Sequence, residues 1–362
     1  MPRFNWIGLL VLLITALLSA NSTAMAADNN RAINPEKSSY PPDIEARSAT
    51  LTDQAGNVLY KKNEQLRMYP ASTTKILTAL LAAENCELDN LVTAGPEINL
   101  VPVNSGRCGL QEGESITMRD LIYGMLLRSG NDAAMTIAVQ VARKANPDLN
   151  MSEQEALGEF SWMMNQRAQE IGAMNSHFVN PHGLHEPDHY STAHDLALIT
   201  LTAMKDPFLS EVVATPSYVP SSKIENRSGQ GIIWVNTNKL LDQKNPFFMA
   251  DASGVKTGHT EQAGYCLISS AYRQQVRLYA VVLNSSQDGV WRDSIQLLEY
   301  GFAHPFSQEA DEDQAKTPKK ANLSTPVLPR WTYYLLFAVG ATLLTFVGIG
   351  FARLAVRNKP QP

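Results

Sequence analysis

Three short runs hold residues that could act on an acyl group. Ser72-Thr73-Thr74-Lys75 sets a serine and a lysine at i and i+3, which on a helix places both side chains on one face. A serine in a first helical turn sits among unpaired N–H groups at the positive end of the helix dipole, where a developing negative charge is favoured. The lysine can take the serine's proton only if burial and nearby positive charge lower its pKa. Ser129-Gly130-Asn131 adds a hydroxyl able to relay a proton and an amide able to hold a peptide group. Lys256-Thr257-Gly258 adds a cation and a hydroxyl for a carboxylate, beside a glycine that lets a ligand approach the backbone. Each run also has a plainer reading. About one S-x-x-K arises by chance in a chain of this length, S-G-N is a helix stop followed by an N-cap, and K-T-G is a turn.

The surrounding pattern predicts how these runs are held. Ile76, Leu77, Leu80 and Leu81 recur at helical spacing over Ser72–Glu84, with Pro70 suited to the entry. Thr117 and Asp120 cap a helix carrying Leu121, Ile122, Met125 and Leu126, which stops at Ser129-Gly130-Asn131. A second apolar run starts at Ala133, and another helix covers Leu157–Ile171. Ala49–Thr52 and Val58–Tyr60 read as two strands about the turn Asp53–Asn57. After residue 230 the period shortens, and Ile232–Leu241, Gly254–Gly258, Gly264–Tyr272 and Val276–Asn284 read as strands. An amphipathic helix from Val290 to Phe302 follows. The fold class is α+β: the first strands and the last helix complete one unit around a helical insertion.

Composition excludes several classes. With 44% hydrophobic and 18% charged residues in 362, the chain is neither disordered nor a coiled coil, and 21 glycines and 20 prolines exclude collagen-like sequence. All 35 acidic residues but only 26 basic ones fall in 27–330, so a nucleic-acid partner is excluded.

The two ends point to export. Arg3, the apolar run Trp6–Leu18 and the close Ala24-Met25-Ala26 describe a signal peptide over 1–26, with an uncleaved anchor as the alternative. A short N-terminal extension, 27–37, would follow. Thr332–Ala352 carries no charge over 21 residues, a length of about 31 Å as a helix, which matches a bilayer core. Trp331, Tyr333 and Tyr334 stand at its start and Arg353, Arg357 and Lys359 beyond it. That pattern predicts a single transmembrane helix over 331–352, a cytoplasmic tail over 353–362, and residues 27–330 on the outer side of the cell membrane. The acidic, then basic, proline-punctuated stretch 304–330 reads as a polar stalk. Export permits disulfides, and Cys86–Cys108 would close a loop worth about 3 kcal/mol, although spacing leaves free thiols equally open. Cys266 lies in an apolar alternating run and reads as a small buried side chain.

Taken in order, S-x-x-K, S-x-N and K-T-G resemble the motif set of penicillin-binding proteins and serine β-lactamases. The blocks Tyr69–Lys75, Leu126–Ala134, Phe178–His185 with Ser191-Thr192-Ala193, and Val255–Thr260 are similar to low-molecular-mass penicillin-binding proteins, the serine D-alanyl-D-alanine carboxypeptidases of peptidase family S11. The resemblance covers roughly 38–303, which it marks as the catalytic domain. It implies a β-lactamase/transpeptidase-like fold, with an antiparallel sheet flanked by helices and an all-helical subdomain. It implies that Ser72 attacks the terminal D-Ala-D-Ala bond of peptidoglycan stem peptides, Lys75 takes its proton, and Ser129 protonates the leaving D-alanine. Asn131 would position the peptide, and Lys256 and Thr257, beside Gly258, would hold the terminal carboxylate. The N–H groups of Ser72 and His259 would form the oxyanion hole, typically worth about 3 kcal/mol per donor. β-Lactam antibiotics would acylate Ser72, and no cofactor or metal is implied. Many members carry a further β-rich domain before the membrane and an amphipathic anchor; here only the stalk and a spanning segment follow.

Other readings remain. A class A β-lactamase would show S-D-N and an E-x-x-L-N, whereas position 130 is glycine and no E-x-x-L-N lies between Asn131 and Lys256. A D,D-endopeptidase of the same family, cutting cross-links, differs only in pocket shape. His182, His185, His189 and His194 have zinc-like spacing but no Cys or Glu completes the set, so they read as a polar loop beside the site. A catalytically silent, anchored wall-binding protein is the alternative from another class.

Overall fold

The computed structural model describes residues 41–222 and 231–305. The expected signal peptide, N-terminal extension, membrane helix and tail, and all of the stalk but His304 and Pro305, lie outside these residues. Among the described residues no helix is long and apolar enough to cross a membrane.

The chain opens with β1 (Ser48–Asp53) and β2 (Val58–Lys62), a hairpin whose turn is tied by the Asp53 carboxylate accepting the N–H groups of Ala55 and Asn57. A 3-10 turn over Ala71–Thr74 leads into α1 (Lys75–Asn85). The short pair β3 (Leu91–Thr93) and β4 (Ser115–Thr117) precedes four helices: α2 (Met118–Leu127), α3 (Asn131–Ala145), α4 (Glu153–Ile171) and α5 (Ala193–Ala203). Next come α6 (Pro207–Ala214) and the two-residue strands β5 (Ser217–Tyr218) and β6 (Trp234–Val235). Three long strands, β7 (Ala252–Thr260), β8 (Gly264–Arg273) and β9 (Val276–Ser285), and α7 (Gly289–Ala303) finish it.

One antiparallel sheet in the order β2-β1-β9-β8-β7 unites the ends of the chain. Side chains alternate across it. Leu278, Ala280 and Val282 of β9 pack with Val290, Leu297 and Leu298 of α7. Tyr279, Val281 and Leu283 join the larger helical core built by α1 to α5. With both faces covered, the central strands read as continuous apolar runs, and each buried aliphatic side chain contributes about 1.5–3 kcal/mol. The α+β expectation is met.

The start of α2 is as the sequence predicts, with Thr117 capping it by accepting the Asp120 N–H at 3.1 Å. The helix expected from Leu157 begins earlier, at Glu153, because a Ser152–Glu155 capping box holds its first turn. The expected strand Ile232–Leu241 is a correction. Only Trp234–Val235 is strand, and Lys239–Leu241 is a 3-10 turn. Asn236 and Asn238 cause this, because their side-chain oxygens accept the N–H groups of Asn238 and Leu240, both at 3.0 Å, in place of a strand partner.

Candidate active site

Ser72 lies in the 3-10 turn rather than in an α-helical turn, and Lys75 is the first residue of α1. The difference brings them closer, since side chains at i and i+3 eclipse in a 3-10 helix. Lys75 Nζ stands 2.9 Å from Ser72 Oγ, 2.7 Å from Asn131 Oδ1 and 2.6 Å from the His182 carbonyl oxygen. The turn is locked locally, with Thr73 Oγ1 donating to Pro70 O and Thr74 Oγ1 to Ala71 O.

Lys75 is fully buried. Burial pushes its pKa far below the usual lysine value, the positive charge of Lys256 pushes the same way, and Asp132 opposes both. A neutral amine has two hydrogens and one lone pair. The carbonyl oxygens of Asn131 and His182 accept the two hydrogens, which leaves the lone pair for the Ser72 hydroxyl. This is the geometry of a general base on its nucleophile.

The loop 178–185 closes over this pair. Thr78 Oγ1 donates to Pro181 O at 2.6 Å, and Asn180 braces the loop from within by accepting the Gly183 N–H at 2.7 Å. Gly183 has φ +83°, and a Cβ there would overlap the Ala71 carbonyl oxygen. Only glycine permits that approach. The four histidines of this region do separate things. His189 accepts the Val179 N–H on Nδ1 and bonds Thr74 Oγ1 through Nε2, while burial, with His177, Lys75 and His185, takes its pKa down to about 3. His182 is lowered well below the ordinary value by burial and by Lys75 and His189, and its Nδ1 accepts the Leu184 N–H. His185 packs edge-on against Tyr69, and His194 faces Asp195. Among the described residues no group of His, Cys, Asp or Glu is arranged to hold a metal.

The Ser129-Gly130-Asn131 run is the α2–α3 junction. Ser129 takes φ +57°, the left-handed conformation usual just past a helix end, where glycine is the common choice. The Asn131 N–H donates to Gly106 O at 2.8 Å, tying this junction to the segment 102–110. The neighbour Asp132 does more. Its buried carboxylate accepts the N–H groups of Cys108, Gly109 and Leu110 at 2.9, 3.0 and 3.1 Å.

The possible Cys86–Cys108 disulfide is not formed: both cysteines are free, the other reading that the spacing left open. Cys108 Sγ lies 3.4 Å from Asp132 Oδ1 near the start of α3, whereas Cys86 borders a small cavity with Gln140 and Lys144 toward its far end. The helix between those positions is about 12 Å long, against the ~5.5 Å between Cα atoms that a disulfide needs. Cys266 is buried as expected, and burial pushes its thiol up to about 12.

Lys256-Thr257-Gly258 sits in the middle of β7, not at the end of a short strand as the sequence suggested. Gly258 lets β7 lie against the serine turn, since a Cβ there would come within 3.0 Å of Ser72 N. Lys256 is buried, its pKa is brought down to about 7 by that burial, and Nζ donates to the Thr257 carbonyl at 2.9 Å. A cleft of about 660 Å³ runs between β7 and the α2–α3 junction, and Ser72, Ser129, Asn131, Thr257, Gly258 and His259 all line it. Lys75 and Lys256 lie behind its wall.

The structure thus brings together Ser72, Lys75, Ser129, Asn131, Thr257, Gly258 and His259, with Lys256 beneath. Sequence reasoning missed Asp132, Asn180, Gly183 and Thr237, whose Oγ1 lies 2.8 Å from Thr257 Oγ1. Asn180-Pro181 and Gly183 carry a turn signal that could have been used. Asp132 lies in the matched block Leu126–Ala134 but the resemblance gives it no role, and nothing local marks Thr237.

Known proteins share this fold. D-alanyl-D-alanine carboxypeptidase DacF of Bacillus subtilis (strain 168) is 32% identical over 72% of this chain, which spans 64% of that protein's length. DacD of Escherichia coli (strain K12), also called a D-alanyl-D-alanine carboxypeptidase, is 30% identical over 80% of this chain and 71% of its own length. Among solved structures, the DD-transpeptidase of Streptomyces strain K15 superposes with a TM-score of 0.65 at 32% identity, covering 73% of this chain and 99% of that one. Penicillin binding protein 6B from Escherichia coli superposes with a TM-score of 0.62 at 31% identity, over 73% of this chain and 79% of that one. The family description "D-alanyl-D-alanine carboxypeptidase", peptidase S11, matches residues 35–287. The chain belongs to the serine-type D-alanyl-D-alanine carboxypeptidase family S11 and has its penicillin-binding, transpeptidase-like fold.

Proposed function

We propose that the protein removes the terminal D-alanine from peptidoglycan stem pentapeptides through an acyl-enzyme on Ser72. The observation that carries this is the 2.9 Å contact with Ser72 Oγ of a buried Lys75 whose pKa is pushed far below the usual lysine value. Ser72 Oγ bonds to the carbonyl carbon of the penultimate D-alanine while its proton passes to Lys75 Nζ. The oxyanion is held by the N–H groups of Ser72 and His259. The C–N bond then breaks, the departing amine takes a proton through Ser129, and water hydrolyses the ester. Asn131 orients Lys75 and the peptide, and Lys256 and Thr257 hold the terminal carboxylate. β-Lactams, which present a carboxylate and a strained amide, acylate the same serine.

Residues 27–330 work on the outer side of the cell membrane, anchored by the uncharged segment Thr332–Ala352 after removal of the signal peptide. The 21-residue length and the basic residues after it support this.

A second reading is transfer of the acyl group to an amine, as the name DD-transpeptidase states for the Streptomyces protein. One experiment separates the readings. Full-length protein is incubated with fluorescent penicillin, the labelled peptide is located, and D-alanine release is followed from a D-Ala-D-Ala peptide with and without an acceptor amine. Label on Ser72 with release into water alone is expected. Release only with the acceptor supports the transferase, and no label removes the serine mechanism.

A further inference from the structure

A single carboxylate stands on the cleft wall just past the strand that carries Lys256. Glu261 is the first residue of the turn joining β7 to β8, and it is exposed. Among the described residues lining the cleft it is the one Asp, Glu, Lys or Arg. It also joins none of the ion pairs found among the described residues. Its backbone is well held. The Ala263 N–H donates to Thr260 Oγ1 at 3.1 Å, and Asn284 Nδ2 donates to Ala263 O at 2.9 Å. A charge on a braced turn, facing the cleft and unneutralised, is poised for a cation from the ligand.

The direction of the strand decides which part of the ligand arrives there. With the substrate's terminal carboxylate at Lys256 and Thr257 and its scissile carbonyl between Ser72 and His259, the rest of the peptide continues past Thr260. From Gly258 to Glu261 the strand advances about 10 Å. One more extended substrate residue, about 3.5 Å of chain, plus a long side chain ending in an ammonium group covers that distance.

We propose that Glu261 recognises a cationic side chain on the residue preceding D-alanyl-D-alanine, so that the preferred donor is a stem peptide whose third residue carries a free ammonium group. This rests on the reading of Ser72 as the acylated serine.

The test compares D-alanine release by the full-length protein from Nα-acetyl-lysyl-D-alanyl-D-alanine and from its Nα,Nε-diacetyl form, which lacks the charge. The free amine is expected to raise kcat/KM about fivefold, the size of a part-exposed ion pair, and the preference should shrink as salt is added. E261Q should bring the ratio close to one, and E261K should reverse it. A wild-type protein indifferent to the acetyl group overturns the proposal, as does an unchanged preference in both variants. If neither peptide releases D-alanine and penicillin leaves Ser72 unlabelled, the underlying serine reading fails and takes the proposal with it.

Discussion

The amide oxygen of Asn131 lies 2.7 Å from Lys75 Nζ and accepts one of the two hydrogens that a neutral lysine has to give. The S-x-N motif is thereby wired to the S-x-x-K motif. Lys75 Nζ is aimed by an acceptor on α3 and a backbone carbonyl from the loop 178–185.

That contact gives the first prediction. Asn131→Asp places a negative charge at hydrogen-bond distance from Lys75, and such a neighbour raises a lysine pKa by about 1–3 units. Penicillin acylation at neutral pH should fall, by up to about 1,000-fold, and recover as pH is raised. Labelling rates measured across pH check this; an unmoved profile would show that Lys75 is not the base.

Lys256 supplies a second one. Its positive charge helps to hold the Lys75 pKa down, so Lys256→Gln should move the acid limb of acylation to higher pH. In the wild type, Lys256 itself loses its proton as pH rises through about 7, and the anchor proposed for the substrate carboxylate weakens. The rate kcat/KM for a carboxylate-terminated peptide should therefore decline above that pH, and the decline should be absent in Lys256→Gln. A wild-type rate still climbing steadily to pH 9 would contradict this account.

Gly183→Ala tests the loop over the serine turn. The φ of +83° is unfavourable for alanine, and its Cβ would collide with Ala71 O. A loss of about 3 kcal/mol in stability is expected, with penicillin labelling reduced more than the unfolding data alone explain. Calorimetry and labelling at a temperature where the variant is folded separate the two. A variant with normal labelling would mean the loop does not position Ser72.

The cysteines give a test that needs no mutation. Denatured, unreduced protein treated with iodoacetamide should gain three labels, because all three thiols are free. In the native state Cys86, half-buried, should react well before Cys108 and Cys266. A single label after denaturation would restore the disulfide.

Much of this was legible because local chemistry and global fold agree. Thr117 and Asp120 marked a helix start, and the apolar runs of β8 and β9 marked strands covered on both faces. The three motifs located Ser72, Lys75, Ser129, Asn131 and Lys256 because their order is itself information. What escaped depends on distant neighbours. Asp132 matters for the segment at Cys108–Leu110 that it ties down, Gly183 for the carbonyl of Ala71, and Thr237 for Thr257. The stretch Ile232–Leu241 misled because branched and aromatic residues suggested a strand while two asparagines capped its backbone from within. Sequence spacing likewise says nothing of the helix that separates Cys86 from Cys108.

The placement of β7 has one more consequence. Among the described residues this strand ends the sheet, with β8 as its one long partner. A bare strand edge is a template for any extended chain, including another copy of the same protein, and such edges commonly seed aggregation. Here the α2–α3 junction, with Ser129 and Asn131, forms the opposite wall of the cleft, so the edge is recessed. A lone peptide can slide in, whereas a second folded sheet meets the rim first. The wall that carries Ser129 thus also shields this strand edge.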